Sequence, residues 1–157
     1  MPSRRDLIRM TDEEMRAFLD EQKTITIVSN NANGYPHPIP MWFTADEDLT
    51  VRMSTFRKSQ KVLNVKRDPK VTLLVEDGEE YAELRSVVIY GTCEVVDDLR
   101  AVQDTLVDIT GGEAANSQQA REGMYKVIEA TAAKRVLLRI KPDKIVSWDH
   151  RKLGGTY

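Results

Sequence analysis

Three prolines at alternate positions constrain the fold of this chain more than any other feature of its sequence. Pro36, Pro38 and Pro40 lie in a segment, residues 35–44, that otherwise predicts a strand. Alternate residues of a strand direct their backbone N–H groups to the same edge, so the three missing donors fall on one edge. That edge cannot pair with a neighbouring strand there. We therefore expect an edge strand whose open side is available to a ligand.

Short β-rich segments separated by turn residues dominate the rest of the sequence. Further strands are predicted at residues 23–29, 49–54, 71–76, 81–96, 135–140 and 145–148. Caps and apolar spacing predict helices at residues 11–22, 59–67, 97–108 and 117–132. This pattern indicates a mainly β, α+β domain over residues 1–157, built as an antiparallel barrel or sandwich with flanking helices.

Composition argues against several classes of protein. Hydrophobic residues make up 41% and charged residues 31% of the 157 positions, which is typical of a globular chain. The formal net charge of −2 argues against a general role on nucleic acids or membrane surfaces. No apolar run approaches the roughly 20 residues of a membrane helix, and the charged N-terminus does not resemble a signal peptide. We expect a cytoplasmic protein.

Cysteine and histidine give no reason to expect a metal site. The single cysteine, Cys93, allows no internal disulfide, and we expect it to pack as a small residue in a strand. The two histidines, His37 and His150, lie far apart in the sequence, and no carboxylates point to a shared site.

The most basic part of the chain is the segment 52–70, which holds seven basic residues and one acid. A strand ends there in Ser54 and Thr55, and a helix begins near Ser59. The free N–H groups and the dipole of a helix N-terminus favour an anion, and Lys61 adds a cation in the first turn. This arrangement predicts a phosphate site. The alternative is a solvated basic helix face, an interpretation that suits Lys66, Arg67 and Lys70.

The order and spacing of these segments resemble the pyridoxamine 5'-phosphate oxidase-like split-barrel family. The resemblance runs from about residue 11 to residue 96 and rests on positions 36–43, 54–55, 59–61, 64 and 67–69. More narrowly, the loop Ser59-Gln60-Lys61 and the ending at residues 146–157 resemble the actinobacterial branch that binds the deazaflavin coenzyme F-420.

The resemblance implies an antiparallel split β-barrel that forms a homodimer, with two cofactor sites at the subunit interface. It implies that the strand from Pro38 to Trp42 runs along the edge of the tricyclic ring, with its backbone groups at the pyrimidine end. It also implies that Trp148 and the tail reach the partner's site. The residues it assigns to the phosphate are Ser54, Thr55, Ser59, Gln60 and Lys61. Those it assigns to the ring or to the anionic tail of coenzyme F-420 are Pro38, Pro40, Met41, Trp42, Arg57, Lys58 and Trp148.

The resemblance further implies a coenzyme F-420-dependent oxidoreductase, which transfers a hydride from the reduced deazaflavin to a small conjugated or quinone-like acceptor. The alternatives are an FMN-dependent oxidase or flavin reductase of the same fold, and a non-catalytic binder of cofactor or haem. His37 and Trp42 stand where the true oxidase carries basic residues, so oxidation of pyridoxamine phosphate is not expected. No catalytic residue is assigned, because such cofactors supply the chemistry themselves.

Overall fold

The computed structural model describes residues 1 and 3–155, in which one antiparallel sheet is packed against helices. The strands are β1 (Thr24–Asn30), β2 (Pro36–Trp42), β3 (Thr44–Ala45), β4 (Val51–Phe56), β5 (Lys70–Asp77), β6 (Arg85–Val96) and β7 (Arg135–Asp149). The α-helices are α1 (Arg4–Leu7), α2 (Asp12–Glu21), α3 (Gln60–Arg67), α4 (Leu99–Thr110) and α5 (Gln118–Ala132). Thr156 and Tyr157, the end of the segment that resembles the F-420 branch, lie outside the described residues.

The sheet closes on itself through one short piece of chain. Its strand order is β2-β1-β5-β6-β7-β4-β3, so β2 and β3 lie at opposite ends of the sheet. Only Phe43 separates these two strands in the chain, which brings the two ends of the sheet together and leaves a split between β2 and β4. The predicted fold class, an antiparallel split β-barrel with flanking helices, is confirmed.

The prolines of β2 occupy the edge predicted for them. Pro36, Pro38 and Pro40 stand opposite Asn30, Val28 and Thr26 of β1. The backbone N–H of Asn31 donates to the carbonyl of Tyr35 at 3.1 Å, which fixes the alternation of paired and unpaired positions along the two strands. The three prolines fall on the positions that face away from β1, so β2 is an edge strand in the sheet.

Two clusters of buried side chains cover β4 and β7 on both faces. The larger cluster fills the barrel and includes Phe18 of α2, Ile27 of β1 and Met53 of β4. The smaller cluster joins α4 and α5 to the other face of the sheet through Val102, Ala132 and Leu137. Because β4 is covered on both faces, its consecutive residues Ser54 and Thr55 are both buried although they point in opposite directions.

Several predicted strands have different limits in the structure. The strand predicted at 81–96 begins at Arg85, because Tyr81–Glu83 form a short 3-10 helix. The strand predicted at 49–54 begins at Val51, because Leu49 has a φ of 63° and donates its N–H to Asp46 in a turn. The strands predicted at 135–140 and 145–148 are one strand, β7, whose register against β6 shifts at Gly91. A side chain at Gly91 would meet the Ile140 side chain and the Lys141 carbonyl at 2.7 Å, so glycine permits this close approach.

Cys93 is buried in the barrel cluster, as predicted for a packing residue. Burial and the neighbouring carboxylate of Glu94 raise the pKa of its thiol to about 12, so the thiol is protonated at neutral pH. Among the described helices, none combines the length and the apolar character needed to cross a membrane.

Candidate functional site

The connection between β4 and α3 brings the predicted phosphate-binding residues together. The strand ends at Phe56, the helix begins at Gln60, and Ser59 is the N-cap between them. The N–H of Ser59 donates to the Phe56 carbonyl at 3.0 Å, which closes a tight turn. This turn lets the first residues of α3 contact the last residues of β4. We call the segment from Ser54 to Lys61 the β4–α3 loop.

Lys61 is a buried cation with hydroxyl neighbours. Only 9% of the residue is exposed, and its Nζ donates to the Thr55 hydroxyl at 3.0 Å. That hydroxyl in turn donates to Ser59 Oγ at 3.3 Å, which leaves the proton of the Ser59 hydroxyl available to another acceptor. No carboxylate of the described residues lies within 4.0 Å of the ammonium. Burial, and then the nearby charge of Arg135, lower the pKa of Lys61.

The N-terminus of α3 also keeps unused donors. In α2, α4 and α5 the side chain of the N-cap residue accepts a hydrogen bond from a backbone N–H in the first turn of the helix. These N-cap residues are Thr11, Asp98 and Ser117. The Ser59 side chain makes no such bond. Within the described chain, the N–H groups of Gln60 and Lys61 have no acceptor. These two donors and the helix dipole favour an anion in front of the helix.

Two further donors lie near the loop, and one of them belongs to Arg135, a residue that the sequence analysis did not single out. The hydroxyl of Ser54 and the Nε of Arg135 are buried atoms without a hydrogen-bond partner. The guanidinium of Arg135 lies 4.2 Å from the centre of the Phe56 ring, and its Nη1 donates to the Ser54 carbonyl at 3.2 Å. Arg135 is 81 positions from Ser54, and only the register between β4 and β7 brings them together.

The open edge of β2 offers hydrogen-bond acceptors. At Pro38 and Pro40 the backbone presents a carbonyl and no N–H group. Trp42 is 54% exposed, and the Nζ of Lys23 lies 4.6 Å from the centre of its ring. The side chain of Met41 packs against the barrel cluster, whereas the adjacent Pro40 and Trp42 face outward.

Three other predicted site residues differ in whether their side chains already have partners within the chain. Arg57 forms an ion pair with Asp97, with Nη2 2.7 Å from the carboxylate, and also donates to the Ala133 carbonyl. The hydrogen bonds to Asp97 raise the pKa of Arg57. Lys58 is exposed. Gln60 is exposed and donates to the side chain of Asn64 at 2.9 Å. Of the two basic residues in the turn, Lys58 is therefore the one left to meet an anionic tail.

Asn64 ties the β4–α3 loop to the hairpin that carries the open edge. Its side chain is completely buried, and its Nδ2 donates to the Ser29 hydroxyl at 3.0 Å and to Asn31 Oδ1 at 2.9 Å. Ser29 ends the buried part of β1, and Asn31 begins the turn into β2. This buried network fixes the position of α3 relative to β2.

The structure does not bring Trp148 to the loop of its own chain. Trp148 stands opposite Ser86 at the far end of β7, whereas Arg135 begins that strand. Thirteen residues of extended strand separate the two, roughly 40 Å. Trp148 therefore does not contribute to the β4–α3 loop of its own chain, and its role at a partner's site stays a prediction.

A cavity of about 650 Å³ lies elsewhere, at the acidic turn that follows β5. Its lining includes Glu76, Asp77, Glu79, Glu80 and Glu83. Carboxylates repel an anionic cofactor, so this cavity is a poor candidate for the phosphate site.

Comparison with known proteins agrees with this architecture. The conserved hypothetical protein Rv2991 from Mycobacterium tuberculosis is 32% identical, with a TM-score of 0.86 over 99% of this chain and 95% of that chain. An F-420 reductase is 21% identical, with a TM-score of 0.61 over 83% of this chain and 94% of that chain. HutZ, the heme storage protein from Vibrio cholerae, is 14% identical, with a TM-score of 0.58 over 86% and 93% of the two chains. The latter two likenesses show the fold alone.

The family comparison covers most of the sequence. Comparison with curated proteins finds no significant match. The family model described as pyridoxamine 5'-phosphate oxidase matches residues 11–149, which include the whole sheet and the β4–α3 loop. The family resemblance in the sequence is thereby confirmed, and the chain belongs to the pyridoxamine 5'-phosphate oxidase family.

Proposed function

We propose that this chain is a flavin-type oxidoreductase that holds the phosphate of its cofactor at the β4–α3 loop. Coenzyme F-420 is the proposed cofactor, and FMN is the alternative. The buried ammonium of Lys61 carries the proposal, because it donates to the Thr55 hydroxyl and has no carboxylate partner in the described part of the chain. A buried charge is costly unless it is paired, and a bound phosphate supplies the missing partner.

The groups around the loop fit a phosphate. The ammonium of Lys61, the Ser59 hydroxyl and the N–H groups of Gln60 and Lys61 are donors. Phosphate oxygens accept hydrogen bonds from all of these groups, and charge-assisted bonds to phosphate are among the stronger ones in proteins.

The open edge of β2 suits the ring of the same cofactor. The carbonyl groups of Pro38 and Pro40 would accept a hydrogen bond from the N–H of the pyrimidine end, and Trp42 would lie beside the ring. When bound, a reduced deazaflavin supplies the hydride for reduction of a small conjugated or quinone-like acceptor. The residues of the chain bind the phosphate, orient the ring and exclude water.

Three observations support coenzyme F-420 over FMN. The loop Ser59-Gln60-Lys61 resembles that of the branch that binds coenzyme F-420, and one protein of the same fold is an F-420 reductase. Lys58 is exposed at the loop, where it would meet the anionic tail that extends beyond the phosphate of the deazaflavin. Arg57 would contribute less, since its guanidinium is already paired with Asp97.

The proposal includes a homodimer. Trp148 lies about 40 Å along β7 from the loop of its own chain, so its assigned role requires the site of a second copy. We expect sedimentation equilibrium of the purified protein at micromolar concentration to give twice the 17.9 kDa mass of the chain. A mass of one chain in the presence and absence of cofactor would contradict the role given to Trp148.

Titration of the purified protein with coenzyme F-420 and with FMN, followed by fluorescence, tests the proposed function. We expect saturable F-420 binding that is tighter than FMN binding, followed by turnover with quinones or enones when the reduced cofactor is supplied. Tight binding of FMN alone would assign the chain to the FMN alternative. Binding without turnover on any acceptor would favour a carrier, and binding of neither cofactor would refute the proposal.

A further inference from the structure

We propose that Arg135 is the second cation of the anion site at the β4–α3 loop, and that it and Lys61 together bind a ligand segment carrying two negative charges. This inference rests on the proposed function, because it specifies the charge of the group that the loop binds. It also adds to the site a residue from the opposite end of the chain.

Arg135 differs from the comparable arginines of the described chain in having no carboxylate partner. Seven arginines there are partly buried, and each of the other six forms an ion pair: Arg16, Arg52, Arg57, Arg85, Arg121 and Arg139. Burial lowers the pKa of Arg135, whereas hydrogen-bonded carboxylates raise those of Arg52 and Arg85 despite burial. A partly buried guanidinium without a counter-ion is the exception in this protein, as is the ammonium of Lys61.

The strand register places the guanidinium of Arg135 at the split of the barrel. The N–H of Arg57 donates to the Lys134 carbonyl at 3.0 Å, so the odd-numbered residues of β4 pair with β7. The backbone groups of Ser54 therefore face away from β7, towards the edge that β3 covers only at Val51 and Arg52. Arg135 crosses the Phe56 ring and donates to the Ser54 carbonyl at that open edge.

Arg135 still has donors to offer at this edge. Its Nη1 is used by the Ser54 carbonyl, while its Nε is shielded from solvent and has no acceptor. A guanidinium presents several N–H groups in a planar fork that matches the oxygens of a phosphate or carboxylate. The Nη2 of Arg135 has no acceptor among the described residues and is not shielded from solvent, so it is the group that an oxyanion at the loop can reach.

Two unpaired cations at one site favour a ligand with two negative charges close together. A phosphate monoester, as in FMN, carries about −1.5 to −2 at neutral pH. A phosphodiester carries a single charge, and in coenzyme F-420 the carboxylates of the tail supply the second. Both cofactors thus carry two negative charges close together. In FMN both charges belong to the phosphate, whereas in coenzyme F-420 the second belongs to the tail.

The test compares FMN with riboflavin, which has the same ring and no phosphate. We expect Arg135→Met to weaken binding of FMN and of coenzyme F-420 at least tenfold and to leave riboflavin binding unchanged. Arg139→Met is the matched control, because Arg139 lies on the same strand and is paired with Glu94; it should leave all three affinities unchanged. A larger loss of affinity for FMN than for coenzyme F-420 would show that Lys61 and Arg135 both bind the phosphate. A larger loss for coenzyme F-420 would show that Arg135 binds the carboxylates of the tail.

Equal FMN affinity of Arg135→Met and wild type would overturn the inference, as would an equal loss for riboflavin. Arg135→Gln, which keeps a donor for the Ser54 carbonyl, is measured beside it in case the methionine variant does not fold. If wild type binds neither cofactor, the proposed function fails, and thermal stabilisation by inorganic phosphate decides the inference separately. Stabilisation of wild type but not of the folded variant supports it, and an equal response, or none in either protein, refutes it.

Discussion

Replacement of Lys61 with methionine is expected to weaken cofactor binding by about 2–3 kcal/mol, roughly 30- to 150-fold. Methionine keeps the length of the side chain and removes the charge and the donors that face the Thr55 hydroxyl. The phosphate would then lose its buried cation while the N–H groups of α3 remain. Fluorescence titration with FMN and coenzyme F-420 measures the loss. Lys66→Met, in the exposed last turn of the same helix, is the matched control.

The same substitution should not destabilise the protein when no cofactor is present. Burial lowers the pKa of Lys61 in the folded state, so the folded chain binds this proton less strongly than the unfolded chain does. The cost is fully present at pH values below the lowered pKa and disappears as the pH rises from that pKa to the ordinary pKa of lysine. Thermal melting at pH 7 should therefore show Lys61→Met to be at least as stable as wild type. Cofactor affinity equal to that of Lys66→Met would refute the phosphate assignment.

Replacement of Asn64 with leucine is expected to lower the free energy of unfolding by about 2–4 kcal/mol. Leucine is close in volume but offers no partner to the groups that Asn64 now satisfies. The Ser29 hydroxyl and Asn31 Oδ1 would lose their donor, and the Gln60 amide would lose its acceptor. Urea unfolding followed by circular dichroism measures the change.

The adjacent residue provides the control for Asn64. Leu63 is 55% exposed on the same helix, so Leu63→Ala should change the unfolding free energy by less than about 0.5 kcal/mol. Asn64→Leu should also weaken FMN binding, because the network holds α3 against the hairpin that ends in the open edge of β2. An unfolding free energy within 0.5 kcal/mol of wild type would show that the network does not stabilise this junction.

Features with a local cause could be predicted from the sequence. The edge position of β2 follows from the missing N–H groups of its prolines. The start of α3 at Ser59 follows from a strand ending in hydroxyl residues and a helix with apolar spacing. Both are properties of a few consecutive residues, and the structure places them within one or two positions of the prediction.

Features that depend on strand register could not be predicted in the same way. Arg135 begins a strand far along the chain from the β4–α3 loop, and nothing adjacent to it indicates an anion site. The ion pair of Arg57 with Asp97 likewise depends on how the start of α4 packs beside β4. Asn64 is only one position of the resemblance and receives no role from the sequence, because its partners lie more than thirty positions earlier in the chain.

The pairing of β4 with β7 has a consequence for the order of events during synthesis. β7 is the last strand of the sheet to leave the ribosome, and it pairs with both β4 and β6. Until it emerges, β4 has only the two residues of β3 as a partner, and Arg135 does not yet exist in the nascent chain. A pause in translation before residue 135 would expose an unpaired edge prone to aggregation. Under the role proposed for Arg135, the anion site at the β4–α3 loop is complete only in chains whose last strand has been synthesised.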